Sequence, residues 1–125
     1  MPAEFLPEQC PPSDARQDNL KVFRLVANCP PNANDFLPTK VESPHRKFTI
    51  DELCMACGVS VFKNVADILK KRERFKPLKS KKIACGTISP SDGLVKETGQ
   101  PSHVTWWLQT NEPHATFREV PDVTQ

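Results

Sequence analysis

The residues of this chain whose types and spacing could do chemistry sit on two apolar runs and in one cysteine pair. In His103–Leu108 the sequence His-Val-Thr-Trp-Trp-Leu alternates. Successive side chains of a strand point to opposite faces, so Val104, Trp106 and Leu108 share an apolar face. His103, Thr105 and Trp107 share the other, which carries a ring nitrogen, a hydroxyl and an indole in a row. That face is either a covered polar layer or the wall of a pocket. An imidazole with an ordinary pKa near ~6.5 can serve as acid or base close to neutrality. Arg24 stands between Val22 and Val26. It is either an anion-binding residue placed against the local pattern or a side chain on a partly covered face whose guanidinium reaches water. With Ser60, in Val59-Ser-Val-Phe62, these residues make His103, Thr105, Arg24 and Ser60 the catalytic candidates.

The cysteine pair is Cys54-Met-Ala-Cys57-Gly58, which matches half of a zinc knuckle. Structural zinc needs four ligands, and no second Cys-x-x-Cys follows. Cys29, Cys85, His45 or His103 would have to complete the site from far along the chain. The expectation is therefore no metal site, with Cys54 and Cys57 as thiols on the apolar face of a helix, where they act as small hydrophobes. Five cysteines are an odd number, and in a reducing compartment they stay thiols. Disulfides are not expected, and no cofactor is called for.

Two family resemblances touch these residues. The repeated His-x-Thr, at His103–Thr105 and His114–Thr116, resembles the paired motifs with which two-histidine phosphoesterases hold and protonate a phosphate. In that family each motif belongs to its own half of a duplicated domain. Here a five-residue loop separates the flanking strands, and folding Leu108 back on His114 drives the two imidazoles apart. Arg24, Ser60 and a late glutamate resemble the arginine, serine-bearing strand and glutamate that ADP-ribosyltransferases arrange around NAD. The resemblance implies a nucleotide substrate. The paired acids that usually mark the catalytic glutamate are missing, and Glu97, Glu112 and Glu119 remain equal candidates.

Charge points to partners. The net charge of +2 hides nine Lys or Arg against two acids from Lys63 to Lys82, which is +7 in twenty residues and leaves −5 for the rest. Lys70, Lys71, Arg72, Arg74, Lys76, Lys79, Lys81 and Lys82 are the binding candidates, a surface for phosphates or acidic groups. Trp107 is a possible stacking platform beside them. No recognition-helix, RNP or zinc-finger pattern accompanies them.

The elements that must position these groups are partly legible. The chain of 125 residues suits a single domain, 1–125. Eight of its 13 prolines precede Lys47, so residues 1–19 read as an extended arm or loop, with Phe5 and Leu6 as pins. Residues 28–47 read as a long loop that Asp35-Phe-Leu37 could anchor. Residues 20–27 read as a strand. Thr49 and Glu52 form a capping box for a helix over 50–57 that buries Ile50, Leu53, Cys54 and Cys57 and stops at Gly58. Residues 59–62 read as a strand. Asn64 caps a second helix, from Val65 to about Phe75, with Val65, Ile68, Leu69 and Phe75 inward. From Lys82 to Val120 the chain reads as four strands in an antiparallel meander, and residues 121–125 as a frayed tail. No apolar run approaches the length of a membrane span and no secretory signal opens the chain, which predicts a cytoplasmic protein.

The expected fold is α+β, a mostly antiparallel sheet of about five or six strands with two helices packed on one face. The leading functional expectation is a small non-enzymatic binding domain whose basic segment contacts an acidic protein or a nucleic acid. The alternative is an enzyme acting on a nucleotide or phosphate-bearing substrate, with its pocket near His103, Thr105, Trp107 and Arg24.

Overall fold

Leu20–Val26 forms β1, and its alternation buries Val22, Arg24 and Val26 while Phe23 and Leu25 face the other way. The computed structural model describes residues 6–99 and 102–120. Phe5, the first residues of the expected arm and the expected tail lie outside them. The remaining strands are β2 (Val59–Phe62), β3 (Lys82–Ile88), β4 (Gly93–Glu97), β5 (His103–Leu108) and β6 (Arg118–Glu119). They form one antiparallel sheet in the order β4-β5-β2-β1-β3-β6. The helices are α1 (Thr39–Glu42), α2 (Ile50–Ala56) and α3 (Val65–Arg74). The architecture is α+β. No helix among the described residues is long and apolar enough to cross a membrane.

The strand order requires a curled sheet. Only the 3-10 turn Pro90–Asp92 joins β3 to β4, yet four inter-strand gaps separate those strands in the order. Four gaps of about 4.8 Å make roughly 19 Å across a flat sheet. The chain from Ile88 to Gly93 could reach only about 17 Å if fully extended, and a 3-10 turn is far from extended. The sheet therefore bends until its ends approach. Its inner face holds the main core: Val22 and Val26 from β1, Val59 and Val61 from β2, Ile88, Val95, Val104 and Trp106. Phe36 and Phe117 come from loops to plug it, their rings 4.7 Å apart, each 6.3 Å from Trp106. Phe36 belongs to Asp35-Phe-Leu37, which docks as an anchor. The carboxylate of Asp35 accepts from the backbone of Ala27 and Asn32.

On the outer face, Ile68 of α3 packs with Phe62 and Ile83 against Phe23, Leu25 and Leu69. Residue α2 Cys54 offers its carbonyl to the Trp107 indole, which donates from Nε1 at 2.8 Å. Both longer helices thus cover one face. Their caps are those the sequence encodes: Thr49 Oγ1 accepts from Glu52 N, with Glu52 reaching back to Thr49 N, and Asn64 accepts from Ala66 N.

Several expectations are corrected. The four-strand meander does not form. Of the consecutive strands from β3 to β6 only β4 and β5 pair with each other; β3 pairs with β1 over seven residues and, on its other side, with β6. The Ser89-Pro-Ser-Asp segment closes on itself, with Asp92 accepting from Ser89 N and Oγ, and delivers the chain across the curl instead of back along β3. The last strand is two residues, because Ala115 N and Phe117 N turn back onto Glu112 O and His114 O. Ile50 is 92% exposed and Phe75 is 47% exposed. Ile50 is the first residue of a short helix of which only the last turn meets the sheet. Phe75 follows the end of α3 in extended conformation. Cys54 is not a thiol: it is bonded to Cys10, with Cα atoms 5.6 Å apart. This bond ties the N-terminal arm to α2. The arm also pairs Arg16 with Val95 beside β4 and sets the Arg16 guanidinium on both oxygens of Glu97.

Candidate functional site

An open cleft of about 920 Å³ lies on the outer face, between the sheet and the segments that carry α1, α2 and the end of α3. Its floor is built by strand register. β2 and β5 pair Ser60 with Thr105 and Phe62 with His103, so Ser60 and His103 are diagonal neighbours on one face, a separation a long side chain can bridge. The β4–β5 hairpin continues one pair beyond Glu97 and Val104, bringing Thr98 N to His103 O at 2.9 Å. Gly99, at φ +72°, lets the chain turn there. Gly58 sets the height of α2 over the sheet, because a Cβ there would run into the Thr105 methyl.

The result is a hydrogen-bonded row. Ser60 Oγ is 2.9 Å from His103 Nε2. His103 Nδ1 is 2.8 Å from the carbonyl of Thr98 and 2.9 Å from its hydroxyl. Thr98 Oγ1 is 2.8 Å from Thr105 Oγ1. A carbonyl can only accept, so Nδ1 carries the proton and Nε2 is left to accept from Ser60 Oγ–H. The His103 ring meets Phe62 edge-on at 5.2 Å, which restrains its rotation. Burial pushes the His103 pKa down, the Thr98 carbonyl opposes this, and the charge of Lys71 lowers it further. The ring is therefore neutral near pH 7.

Arg24 reaches this cleft from the other face. β1 and β2 share one paired position, Phe23 with Phe62, and beyond it the strands part. The Arg24 guanidinium fills the gap. It donates from Nε to Asp35 O and from Nη1 to Ser60 O, both at 2.7 Å, and from Nη2 to Glu42 Oε2 at 2.7 Å. It also lies over the Phe36 ring at 5.7 Å. Arg24 is 5% exposed, so the expectation of a guanidinium reaching water is corrected. A planar fork with five donors substitutes for the missing ladder. Burial pushes its pKa down, and Glu42 and Asp35 oppose that.

The other sequence-derived candidates divide. Trp107 is 2% exposed, covered by α2, and does not line the cleft. Its role as a stacking platform is corrected, because its indole is committed to Cys54 O. Arg72 is 6% exposed and donates to Lys81 O, so it is a structural cation. Lys70, Arg74, Lys76, Lys79 and Lys82 are exposed. Lys71 and Lys81 line the cleft. Lys71 is half-buried, its Nζ 5.6 Å from the centre of the Phe62 ring. Burial and then Arg24 hold its pKa below the ordinary lysine range, and it has no salt-bridge partner among the described residues. Glu97, Glu112 and Glu119 do not line the cleft. Glu97 is engaged by Arg16 and Lys63, and Glu119 accepts from the Cys29 thiol. The cleft's glutamates are Glu42 and Glu52. His114 lies outside the cleft, its Nδ1 buried without a partner. No group of three or more His, Cys, Asp or Glu among the described residues is placed to hold a metal ion.

Sequence reasoning missed Thr98, Glu42, Arg46 and Phe48. Arg46 lies over the Phe48 ring at 4.8 Å on the cleft wall. Of these only Thr98 had a signal, since a polar residue ending one hairpin strand faces the first residue of the next. Comparison with protein-family models, with curated proteins and with solved structures finds no significant match.

Proposed function

We propose that the outer cleft binds a small anionic ligand, a nucleotide or another phosphate-bearing molecule, and acts on it through the His103 row. The observation that carries this reading is Lys71: a half-buried ammonium with no salt bridge among the described residues, with Arg24, Arg46 and Lys81 on the same walls, while Glu42, the carboxylate that favours its charge, is already paired with Arg24. Taking a cation out of water beside other cations is unfavourable, and an entering anion relieves that cost. Arg24 does not bind the ligand in this reading; its donors are committed, and it holds the Ser60 strand. Phe75, exposed at the rim, offers a face for a ring. The test is titration of the protein with inorganic phosphate and a panel of nucleoside mono- and diphosphates by calorimetry. Binding that weakens with salt, and about tenfold in Lys71→Met, supports the proposal. Absence of heat for every member of the panel removes it.

A second reading is the one in which the exposed cations Lys70, Arg74, Lys76, Lys79 and Lys82 contact an acidic protein or a nucleic acid. The observation favouring it is their common exposure along α3, the following turn and the first residue of β3. Retention on heparin across a salt series tests it, and salt-insensitive flow-through sinks it. For location, the cytoplasm is proposed, with the Cys10–Cys54 bond as the feature against it, because cytosolic thiol systems reduce most disulfides. Thiol counting on protein taken directly from cells decides between the two.

A further inference from the structure

The Ser60–His103 pair has the arrangement that activates a serine. A serine hydroxyl is a weak nucleophile unless a base takes its proton, and the base needs a third group to hold its tautomer. All three are present. Nε2 of His103 is bare and 2.9 Å from Ser60 Oγ. Nδ1–H donates to the Thr98 carbonyl at 2.8 Å, which does the orienting done elsewhere by a carboxylate. The Ser60 backbone is fixed by Arg24 Nη1 on its carbonyl. Both Ser60 and His103 are partly exposed and line the cleft.

We propose that Ser60 is a nucleophile with His103 as its general base, and that the cleft hydrolyses carboxylic esters whose acyl or alcohol part carries an anionic group. The anionic part of the substrate rests on the reading given above; the nucleophile does not. Ser60 Oγ forms a bond to the ester carbonyl carbon while its proton passes to His103 Nε2, and the carbonyl electron pair moves onto oxygen. Lys71 lines the same cleft as Ser60 and His103, its Nζ 5.6 Å from the centre of the Phe62 ring on which His103 packs, and is the cation available to that oxyanion. The electron pair returns, the carbon–oxygen bond to the alcohol breaks, and the leaving oxygen takes the proton from Nε2. Water then repeats the sequence on acyl-Ser60, with His103 again receiving and returning the proton. Ester and water become acid and alcohol, and the enzyme is restored. The orienting group is a neutral carbonyl, so the imidazolium formed on the way is less stabilised than beside a carboxylate.

The experiment is labelling of the full chain with an alkyl fluorophosphonate, followed by intact mass and peptide mapping, alongside hydrolysis of p-nitrophenyl acetate. The expected result is one phosphonyl adduct, on Ser60, abolished in Ser60→Ala. His103→Gln slows labelling by about 100-fold or more, and circular dichroism shows both variants folded. Thr98→Ala keeps the backbone carbonyl and retains labelling. Should Ser60→Ala not fold, the pH profile of wild-type labelling replaces it, with the rate rising through the pKa of His103. An unlabelled Ser60 in folded protein, or labelling that His103→Gln leaves unchanged, overturns the proposal. Nucleotide binding without labelling overturns the nucleophile alone. Labelling without any anion binding keeps the nucleophile and overturns the anionic substrate.

Discussion

Arg24 Nη1 donates to the carbonyl of Ser60 at 2.7 Å, across a gap where β1 and β2 have stopped pairing. One side chain thereby replaces a backbone ladder and sets the position of the serine in the cleft. Arg24→Met leaves the carbonyls of Asp35 and Ser60 without donors. Buried orphaned acceptors cost about 1–3 kcal/mol each, so the expected loss is roughly 2–4 kcal/mol in a urea denaturation. Arg24→Lys recovers little of it, since an ammonium cannot span the same acceptors. A loss under about 0.5 kcal/mol in Arg24→Met, the ordinary range for surface substitutions, would show that the guanidinium is not structural.

Gly86 and Phe117 are matched in the same way on the inner face. A Cβ at Gly86 would lie 2.5 Å from the Phe117 ring. Gly86→Ala should cost about 1–3 kcal/mol by overpacking, and Phe117→Ala about 3–5 kcal/mol. The double variant should be less damaged than the two losses added, because the alanine methyl occupies space the ring has left. Strict additivity in a double-mutant cycle would refute this contact.

His103 makes stability depend on pH. Its folded pKa lies below the unfolded value near ~6.5, so between the two values the unfolded chain binds more protons. Stability therefore rises with pH through that window. The contribution is fully present above about pH 6.5 and is lost as pH falls through the folded value. Chemical denaturation at a series of pH values should show this slope, and His103→Gln should flatten it. An unchanged slope in that variant assigns the dependence elsewhere.

Reduction of Cys10–Cys54 should destabilise the fold. The bond closes a loop with a sequence separation of 44, for which chain entropy alone suggests about 4 kcal/mol. The double variant Cys10→Ser, Cys54→Ser should lose roughly 2–4 kcal/mol, and hydrogen exchange should quicken at the amides of Arg16 and Val95, which bond each other. Equal midpoints with and without reductant would mean that the arm is held without the bond.

At Glu97 the guanidinium of Arg16 and then the ammonium of Lys63 hold the carboxyl down at about 2. A depressed carboxyl gives stability that is present above its unfolded pKa, near 4.3, and is lost as pH falls through the folded value. The group is largely exposed, so the size is expected to be at most about 1 kcal/mol. Carbon NMR titration of the Glu97 side chain checks it, and an ordinary midpoint would mean the arm is not paired there in solution.

What could be read from residues alone was whatever depends on near neighbours. The alternation in His103–Leu108 placed Val104 and Trp106 on a buried face, and both are buried. Thr49 with Glu52, and Asn64, capped their helices because a cap spans only a few residues. The same locality explains the failures. Trp107 was assigned to a face correctly, but which helix covers that face depends on contacts distant in sequence. Cys54 could not announce Cys10, because connectivity is not encoded in spacing. The turn residues before Gly93 suit a hairpin and a crossing equally, and only the curl of the sheet selects the crossing. Thr98, just past the end of β4, faces His103 across a single hairpin, but Ser60 meets His103 only through the register of β2 on β5, strands far apart in the chain. That register follows from how the whole core closes around Trp106, Phe36 and Phe117, so the row of donors and acceptors exists only once the tertiary structure does.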